Sequence, residues 1–302
     1  MSTSYHVAVI GLGAMGMGAA RSCLRAGLTT YGIDLSEQAR SQLQQAGAAA
    51  VMADARPLAE TLDAVLLLVV NAVQVRRILL GDEGLARHLK PGTAIMVSST
   101  IAAEEASALA AELAQLGLPM LDAPVSGGAI KADAGEMTVM AAGADAAFDK
   151  LAPVLDAVAG KLYRVGSEPG QGSTVKIIHQ LLAGVHIAVA AEAMALASKA
   201  GVSLDLMYDV VTHAAGNSWM FENRMPRVLT GDYQARSAVD IFVKDLTLVA
   251  DTAKALRFPL PLASTALNMF LSASNAGHGQ EDDSAVIKTF SGITLPGQEA
   301  RP

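Results

Sequence analysis

Val7-Ala8-Val9-Ile10 runs without a break into Gly11-Leu12-Gly13-Ala14-Met15-Gly16, and a helical pattern follows that ends at Gly27. A buried strand that must turn at once into a helix admits few folds, and the glycine spacing narrows them further. Gly11 permits the tight turn, Gly13 has no side chain to hold a pyrophosphate away from the backbone, and Gly16 lets the helix pack on the strand. The helix N-terminus then offers N–H groups and a partial positive charge to an anion. The motif predicts a dinucleotide cradle at Gly11, Gly13, Met15 and Gly16; the alternative is a glycine-rich turn with no ligand. A kinase or ATPase phosphate loop fails on position, since Met17-Gly18 stand where Lys-Ser/Thr would be required.

Asp34 closes the second apolar run, Tyr31-Gly32-Ile33-Asp34, 18 residues after Gly16. A carboxylate there accepts hydrogen bonds from ribose hydroxyls and repels a 2′-phosphate, and no Arg or Lys stands beside it to neutralise one. The expected cofactor is NAD rather than NADP. Asp34 could instead cap the following helix, a role it would share with Ser36.

The same alternation continues to about Val165. Continuous apolar runs at 6–10, 29–33, 64–70, 94–98 and 119–122 fit strands buried on both faces of a parallel sheet. Helical segments at 15–26, 36–46 and 102–116 each close on a glycine, Gly27, Gly47 or Gly117, able to take the left-handed conformation. After Pro169 strand-like runs vanish. Residues 172–200 read as one helix stopped by Gly201, about 45 Å long at 1.5 Å per residue, and further helical patterns cover 203–214, 219–229, 237–256 and 261–275. The expected class is α/β: a doubly wound Rossmann domain over 1–166 that binds NAD, joined by a long helix to an all-helical domain over 167–302 for substrate binding and oligomerisation. A helix apolar all round must be covered on most sides, so it should be the spine of the second domain or of an interface between copies, making a homodimer or homotetramer.

The 302 residues include 52 % hydrophobic, 17 % charged and a single cysteine, Cys23. This composition excludes disorder, an intramolecular disulfide framework and any multi-cysteine metal site, and it fits a reducing compartment. A formal net charge of −7 gives no basic excess for nucleic acid or an anionic membrane. Residues 64–70 are too short to span a membrane, and 177–197 carry His179, Gln180, His186 and Glu192. Met1-Ser2-Thr3-Ser4-Tyr5 has no basic region before an apolar core, and Ala300-Arg301-Pro302 is no prenylation signal. The expectation is a cytoplasmic protein whose partners are a small substrate and copies of itself, with neither nucleic acid nor membrane.

Two features offer catalytic chemistry. Lys176, His179 and Gln180 occupy i, i+3 and i+4 near the start of the long helix, with Ala183 and Ile187 continuing that face. Apolar surroundings disfavour a lysine's charged form and lower its pKa, making it a usable proton donor and acceptor near neutral pH; a solvated surface lysine is the plainer alternative. His179 and His186 do not share a metal, since seven residues of helix separate them by about 10 Å, and no metal is expected. Asp122-Ala123-Pro124-Val125-Ser126-Gly127-Gly128 follows a strand, where open sheets place ligands. Ser126 with the N–H groups of Gly127 and Gly128 could hold a carboxylate, or the segment could be a plain turn. A serine-hydrolase elbow would need glycine where Pro124 stands.

Val9 to Gly16, Asp122 to Gly128, Gly172-Ser173-Thr174-Val175-Lys176 and Lys244-Asp245-Leu246 resemble, in order and spacing, the four motifs of the β-hydroxyacid dehydrogenases. The resemblance spans nearly the whole chain. It implies Lys176 as general acid/base, Ser126, Gly127 and Gly128 as the site of the substrate carboxylate, Lys244 near the nicotinamide and Thr100 near the cofactor. Where many relatives carry two asparagines after the lysine, this chain has His179 and Gln180, so hydrogen bonding to substrate must differ and would suit extra hydroxyls. The runs 213–224 and 282–288 resemble more narrowly a branch that oxidises the C2 hydroxyl of a four-carbon sugar acid to a 2-oxo acid with NAD. Asn217, Ser218 and Asn223 then contact distal hydroxyls or serve as helix caps. Reduction of tartronate semialdehyde and oxidation of 3-hydroxyisobutyrate are the alternative activities, and a dinucleotide sensor without catalysis is the alternative from another class.

Overall fold

The computed structural model describes residues 4–296; Met1-Ser2-Thr3 and Ala300-Arg301-Pro302, where no targeting or lipidation signal is expected, lie outside the described residues. Two compact units divide between Lys176 and Ile177.

Among the described residues, the first unit is built on nine strands: β1 (His6–Ile10), β2 (Thr29–Ile33), β3 (Ala50–Met52), β4 (Ala64–Leu67), β5 (Ala94–Val97), β6 (Met120–Asp122), β7 (Val125–Ser126), β8 (Met137–Ala142) and β9 (Ala159–Gly166). Six helices connect them: α1 (Ala14–Arg25), α2 (Glu37–Gln45), α3 (Ala72–Leu80), α4 (Ala103–Gln115), α5 (Gly128–Ala134) and α6 (Asp145–Val158). The order is β3-β2-β1-β4-β5-β6-β8-β7, with β9 on β8. From β3 to β6 every pairing is parallel, so the strand order reverses between β1 and β4 and opens a crevice at the carboxyl ends.

The apolar runs lack alternation because both sheet faces are covered. Val7, Val9, Leu66, Met96 and Leu121 pack with Met17 and Cys23 of α1 and Phe148 and Leu151 of α6. Ala8, Ile10, Val65, Leu67, Ile95 and Val97 point the other way, onto Val75 and Leu79 of α3 and Leu109 and Leu113 of α4. Each such Val, Leu or Ile contributes about 1.5–3 kcal/mol of apolar burial.

The sheet departs from the sequence expectation in several ways: β3, β7, β8 and β9 lie outside the expected apolar runs. The run expected as a strand over 64–70 leaves the ladder after Leu67, and Leu68 and Val69 pass beneath the glycine turn, where a β-carbon on Gly11 would lie 2.6 Å from the Leu68 carbonyl oxygen and 3.0 Å from Val69 Cγ1. The sheet is also not wholly parallel. β8 runs antiparallel to β6 and β7, and β9, whose residues are half-buried or exposed, lies parallel to β8 with two register shifts.

Helix α7 (Gln171–Lys199) carries the chain from the first unit into the second. It is long and apolar enough to cross a membrane, with a window of mean hydropathy 1.7, and half of that window is buried inside the protein. Gly201 ends it at φ +76°. The second unit continues with α8 (Leu204–Thr212), α9 (Trp219–Thr230), α10 (Val239–Ala255) and α11 (Pro261–Ala273). Its core gathers Ile187 and Met194 of α7, Phe221 and Met225 of α9, and the stacked rings of Phe242 and Phe270, 5.2 Å apart. Two buried ion pairs tie α9 to the following chain: Arg224 holds Asp283 with bonds of 2.7 and 3.0 Å, and Arg227 holds Asp282.

Candidate active site

In the first unit Gly11, Gly13, Gly16, Asp34 and Thr100 follow the carboxyl ends of parallel strands, and Ser126, Gly127 and Gly128 lie at the end of the short antiparallel β7. Gly11 turns β1 into α1 at φ +91°, and a β-carbon on Gly16 would lie 1.7 Å from the Gly11 carbonyl oxygen, so neither position tolerates a side chain. Gly13 faces open space, with nothing within 4 Å of where its β-carbon would be. No side chain caps α1, which leaves its first N–H groups for an anion. Met15 is half-buried in that first turn. The cradle therefore fits a dinucleotide pyrophosphate.

Asp34 at the end of β2 takes the Leu12 N–H at 2.6 Å on Oδ2 and the Ser36 N–H at 2.8 Å on Oδ1. Ser36, not Asp34, caps α2 by accepting the Ala39 N–H. The acid thus braces the glycine turn, and each oxygen keeps a lone pair for a ribose hydroxyl. The expectation that no cationic side chain stands beside it is corrected. Arg40, six residues on, folds back from α2 and donates from Nη1 to the carbonyls of Asp34 and Leu35 at 2.7 and 2.9 Å. Asp34→Ser should shift the ratio of kcat/KM for NADP over NAD upward by about tenfold or more, because repulsion of a 2′-phosphate is lost while Arg40 stays nearby. An unchanged ratio in NADH and NADPH formation assays would refute this role.

Ser126 ends the short β7, opposite Thr138 of β8. Gly127 and Gly128 follow at φ +130° and +71° and open α5 without a side-chain cap. Thr100 is half-buried on the loop between β5 and α4, and the adjacent Ser99 hydroxyl accepts the Val69 N–H at 3.1 Å. Helices α1 and α5 meet at Gly18, where a β-carbon would lie 2.5 Å from the Asp133 nitrogen, and the Ser22 hydroxyl donates to the Ala132 carbonyl. The pair of small residues four apart on α1 was the signal for this contact, which the sequence reading did not use.

Lys176 is buried at 6 % exposure. It lies one turn beyond Ser173, and the start of its helix is fastened to β6 by a side chain to which sequence reasoning assigned no role. Asp122 accepts the Gly170 N–H, the Ser173 N–H and the Ser173 hydroxyl at 2.8, 2.8 and 2.7 Å. Gly172 permits the approach, since a β-carbon there would lie 2.4 Å from the Asp122 carbonyl oxygen. Burial pushes the Asp122 carboxyl above its ordinary value, against hydrogen bonds from Ser173, Gly170 and Gly172 that pull it down.

The second unit brings His179, Gln180 and Lys244 together through Asp245. Gln180 Nε2 donates to Asp245 Oδ2 at 2.5 Å, Lys244 Nζ donates to Asp245 Oδ1 at 2.6 Å, and His179 Nδ1 lies 2.9 Å from Gln180 Oε1. Ser218 caps α9 by accepting the Phe221 N–H, Asn223 Oδ1 accepts from Arg224 at 2.5 Å, and Asn217 donates to Glu222 at 3.3 Å. All three therefore have structural partners. Among the described residues no group of three or more His, Cys, Asp or Glu side chains is arranged to hold a metal.

The sequence profile of the NAD-binding domain of 6-phosphogluconate dehydrogenase matches residues 6–166, and that of the NAD-binding domain of NADP-dependent 3-hydroxyisobutyrate dehydrogenase matches 170–290. The chain belongs to the 3-hydroxyisobutyrate dehydrogenase family and is an NAD-dependent hydroxyacid dehydrogenase. Among individual relatives, it is 70 % identical over 298 residues to the L-threonate dehydrogenase of Escherichia coli strain K12, with 99 % of each chain covered. It is 34 % identical to the 2-(hydroxymethyl)glutarate dehydrogenase of Eubacterium barkeri, with 97 % of each covered. The crystal structure of a 3-hydroxyisobutyrate dehydrogenase from Salmonella typhimurium is 69 % identical and superposes with a TM-score of 0.92, covering 95 % of this chain and all of that one.

Proposed function

We propose that this dehydrogenase oxidises the C2 hydroxyl of L-threonate to the 2-oxo acid, with Lys176 as general acid/base and Ser126, Gly127 and Gly128 holding the carboxylate. One observation carries the substrate: four L-threonate dehydrogenases share 67–70 % identity with the chain over 97 % or more of its length. When bound, NAD would supply the two-electron oxidant that this conversion of an alcohol to a ketone requires. The protein anchors the acid by its carboxylate, aligns C2, and takes the hydroxyl proton on Lys176 Nζ as the C=O bond forms. Gly11, Gly13, Met15, Gly16 and Asp34 would hold the dinucleotide, with Thr100 and Lys244 serving its nicotinamide half. The 3-hydroxyisobutyrate reading is kept because the Salmonella structure bearing that name is equally similar. An assay of L-threonate, 3-hydroxyisobutyrate and tartronate semialdehyde decides: L-threonate should give the highest kcat/KM, and a higher value for either other compound would overturn the assignment.

The enzyme is proposed to act in the cytoplasm, as domains 1–166 and 167–302, and as a homodimer or homotetramer. Val175, Ile178, Leu182, Val189 and Leu196 form an exposed apolar stripe on α7, the face a second copy would cover. A light-scattering mass of one chain at assay concentration would contradict this.

A further inference from the structure

The start of α7, which lies in the first unit, is capped by a side chain from another element. The Gly170 carbonyl takes the first helical bond, from the Thr174 N–H at 2.9 Å, so Gly170 stands where a capping side chain usually sits. It has none to offer, and none would fit: its φ is +103°, and a β-carbon would lie 2.5 Å from Ser107 Oγ. Asp122, at the end of β6, supplies the missing acceptor. Its Oδ2 takes the Gly170 and Ser173 N–H groups, the second being the bond that a capping side chain would itself make. Its Oδ1 takes the Ser173 hydroxyl.

Ser173 therefore meets the carboxylate twice, with its N–H on one oxygen and its O–H on the other. One bond fixes a separation; two from one residue to both oxygens of a planar group also fix a direction. Both residues are buried, which strengthens the bonds and keeps water from competing for them. The N–H bonds hold the helix end to the strand, and the hydroxyl adds resistance to rotation about the helix axis. Lys176, three residues on, lies on the same side of the helix as Ser173. The main chain of Asp122 leads in turn to Ser126, so the clamp joins the root of the proposed carboxylate turn to the helix that carries the proposed base.

We infer that Ser173, through its paired bonds to Asp122, sets the rotation of α7 about its axis and so aims Lys176 at the substrate alcohol. Ser173 and Asp122 are positioning residues, and their role rests on the proposed reading of Lys176 as general acid/base. A reacting group misplaced by about 1 Å can cost on the order of 10²-fold in rate. The glycine turn at Gly11 to Gly16 takes no part in the clamp, so cofactor affinity should not follow the rate.

The test is a double-mutant cycle on the full chain, with NAD and the preferred acid of the substrate assay, expected to be L-threonate. Ser173→Ala should lower kcat by about 10- to 100-fold, with the KM for the acid and the calorimetric Kd for NAD each within about threefold. In Lys176→Ala there is no base left to aim, so adding Ser173→Ala should change the residual kcat by less than about twofold. Ser173→Cys, close in shape but a weak donor, should lose less than the alanine variant in the same parameter. It is read by the same criteria if Ser173→Ala no longer binds NAD. A kcat within about twofold of the parent, a loss lying in KM or Kd, or a loss as large without Lys176 as with it would overturn the inference and leave Ser173 a fastening of the fold alone. A near-parental kcat in Lys176→Ala would refute the acid/base reading and the inference with it. A disabled Lys176→Ala beside an unaffected Ser173→Ala would refute the inference alone.

Discussion

Lys176→Ala should lower kcat by about 10³-fold while leaving the Kd for NAD within about twofold, because a positioned general acid/base is worth roughly 10²–10⁴ in rate. Steady-state NADH formation and calorimetric NAD titration measure the two quantities separately. Lys176→Arg sharpens the experiment: it retains a cation of similar reach, but a guanidinium does not deprotonate in proteins. If Lys176 serves only to attract the substrate anion, the arginine variant should keep much of its rate and the defect of the alanine variant should lie in KM. If it moves the proton, both variants should fail in kcat. A near-unaltered kcat in Lys176→Ala ends the assignment. Burial makes the result informative, since a side chain 6 % exposed inside the start of a long helix is not an ordinary solvated lysine.

Asp122→Ala should cost about 3–5 kcal/mol of stability, because it strands the Gly170 and Ser173 N–H groups in a buried site, each at about 1–3 kcal/mol, and frees the Ser173 hydroxyl. Asp122→Asn should cost less than about 1 kcal/mol: the amide oxygen can take both N–H groups, and its NH₂ can donate to the hydroxyl of Ser173 once that rotates. The two variants also differ from the parent in pH dependence. The folded carboxyl is raised above its ordinary value of 3.8. The stability this group contributes is therefore fully present below that value and is lost as pH rises through the raised one. D122N should lack this slope, so its stability relative to the parent should improve across that window. Urea unfolding between pH 3.5 and 7 measures both effects; an alanine variant as stable as the asparagine variant, or a parallel pH course for D122N and parent, would show that Asp122 does not fasten the helix.

How much of this was legible in the sequence depends on how far apart the cooperating residues lie. The glycine turn could be read because its requirements are local: a left-handed turn at Gly11, contact at Gly16 and open space at Gly13 are all met within six residues. Asp34 was legible for the same reason, but Arg40 was not, since adjacency in sequence says nothing of a side chain that folds back from the second turn of a helix. Asp122 and Asp245 stood in plain view inside quoted motifs, yet their partners lie 51 and 65 residues away, and only the fold pairs them. Strands β3, β7, β8 and β9 were not among the expected runs: β3 and β7 have three and two residues and β9 leaves no face fully buried, while β8 carries a buried apolar run that was legible. Asp282 and Asp283, which supported the narrower resemblance, hold two buried arginines and keep the second unit's core together.

The seam at Gly18 and Ser22 bears on engineering. Because α1 and α5 touch backbone to backbone there, the turn proposed to grip the pyrophosphate and the turn proposed to grip the acid form a single casting. Grafting residues 122–134 from a relative with another substrate preference therefore requires transplanting residues 14–25 with them. A chimera that exchanges only one of the two helices would pry both binding turns out of alignment at once.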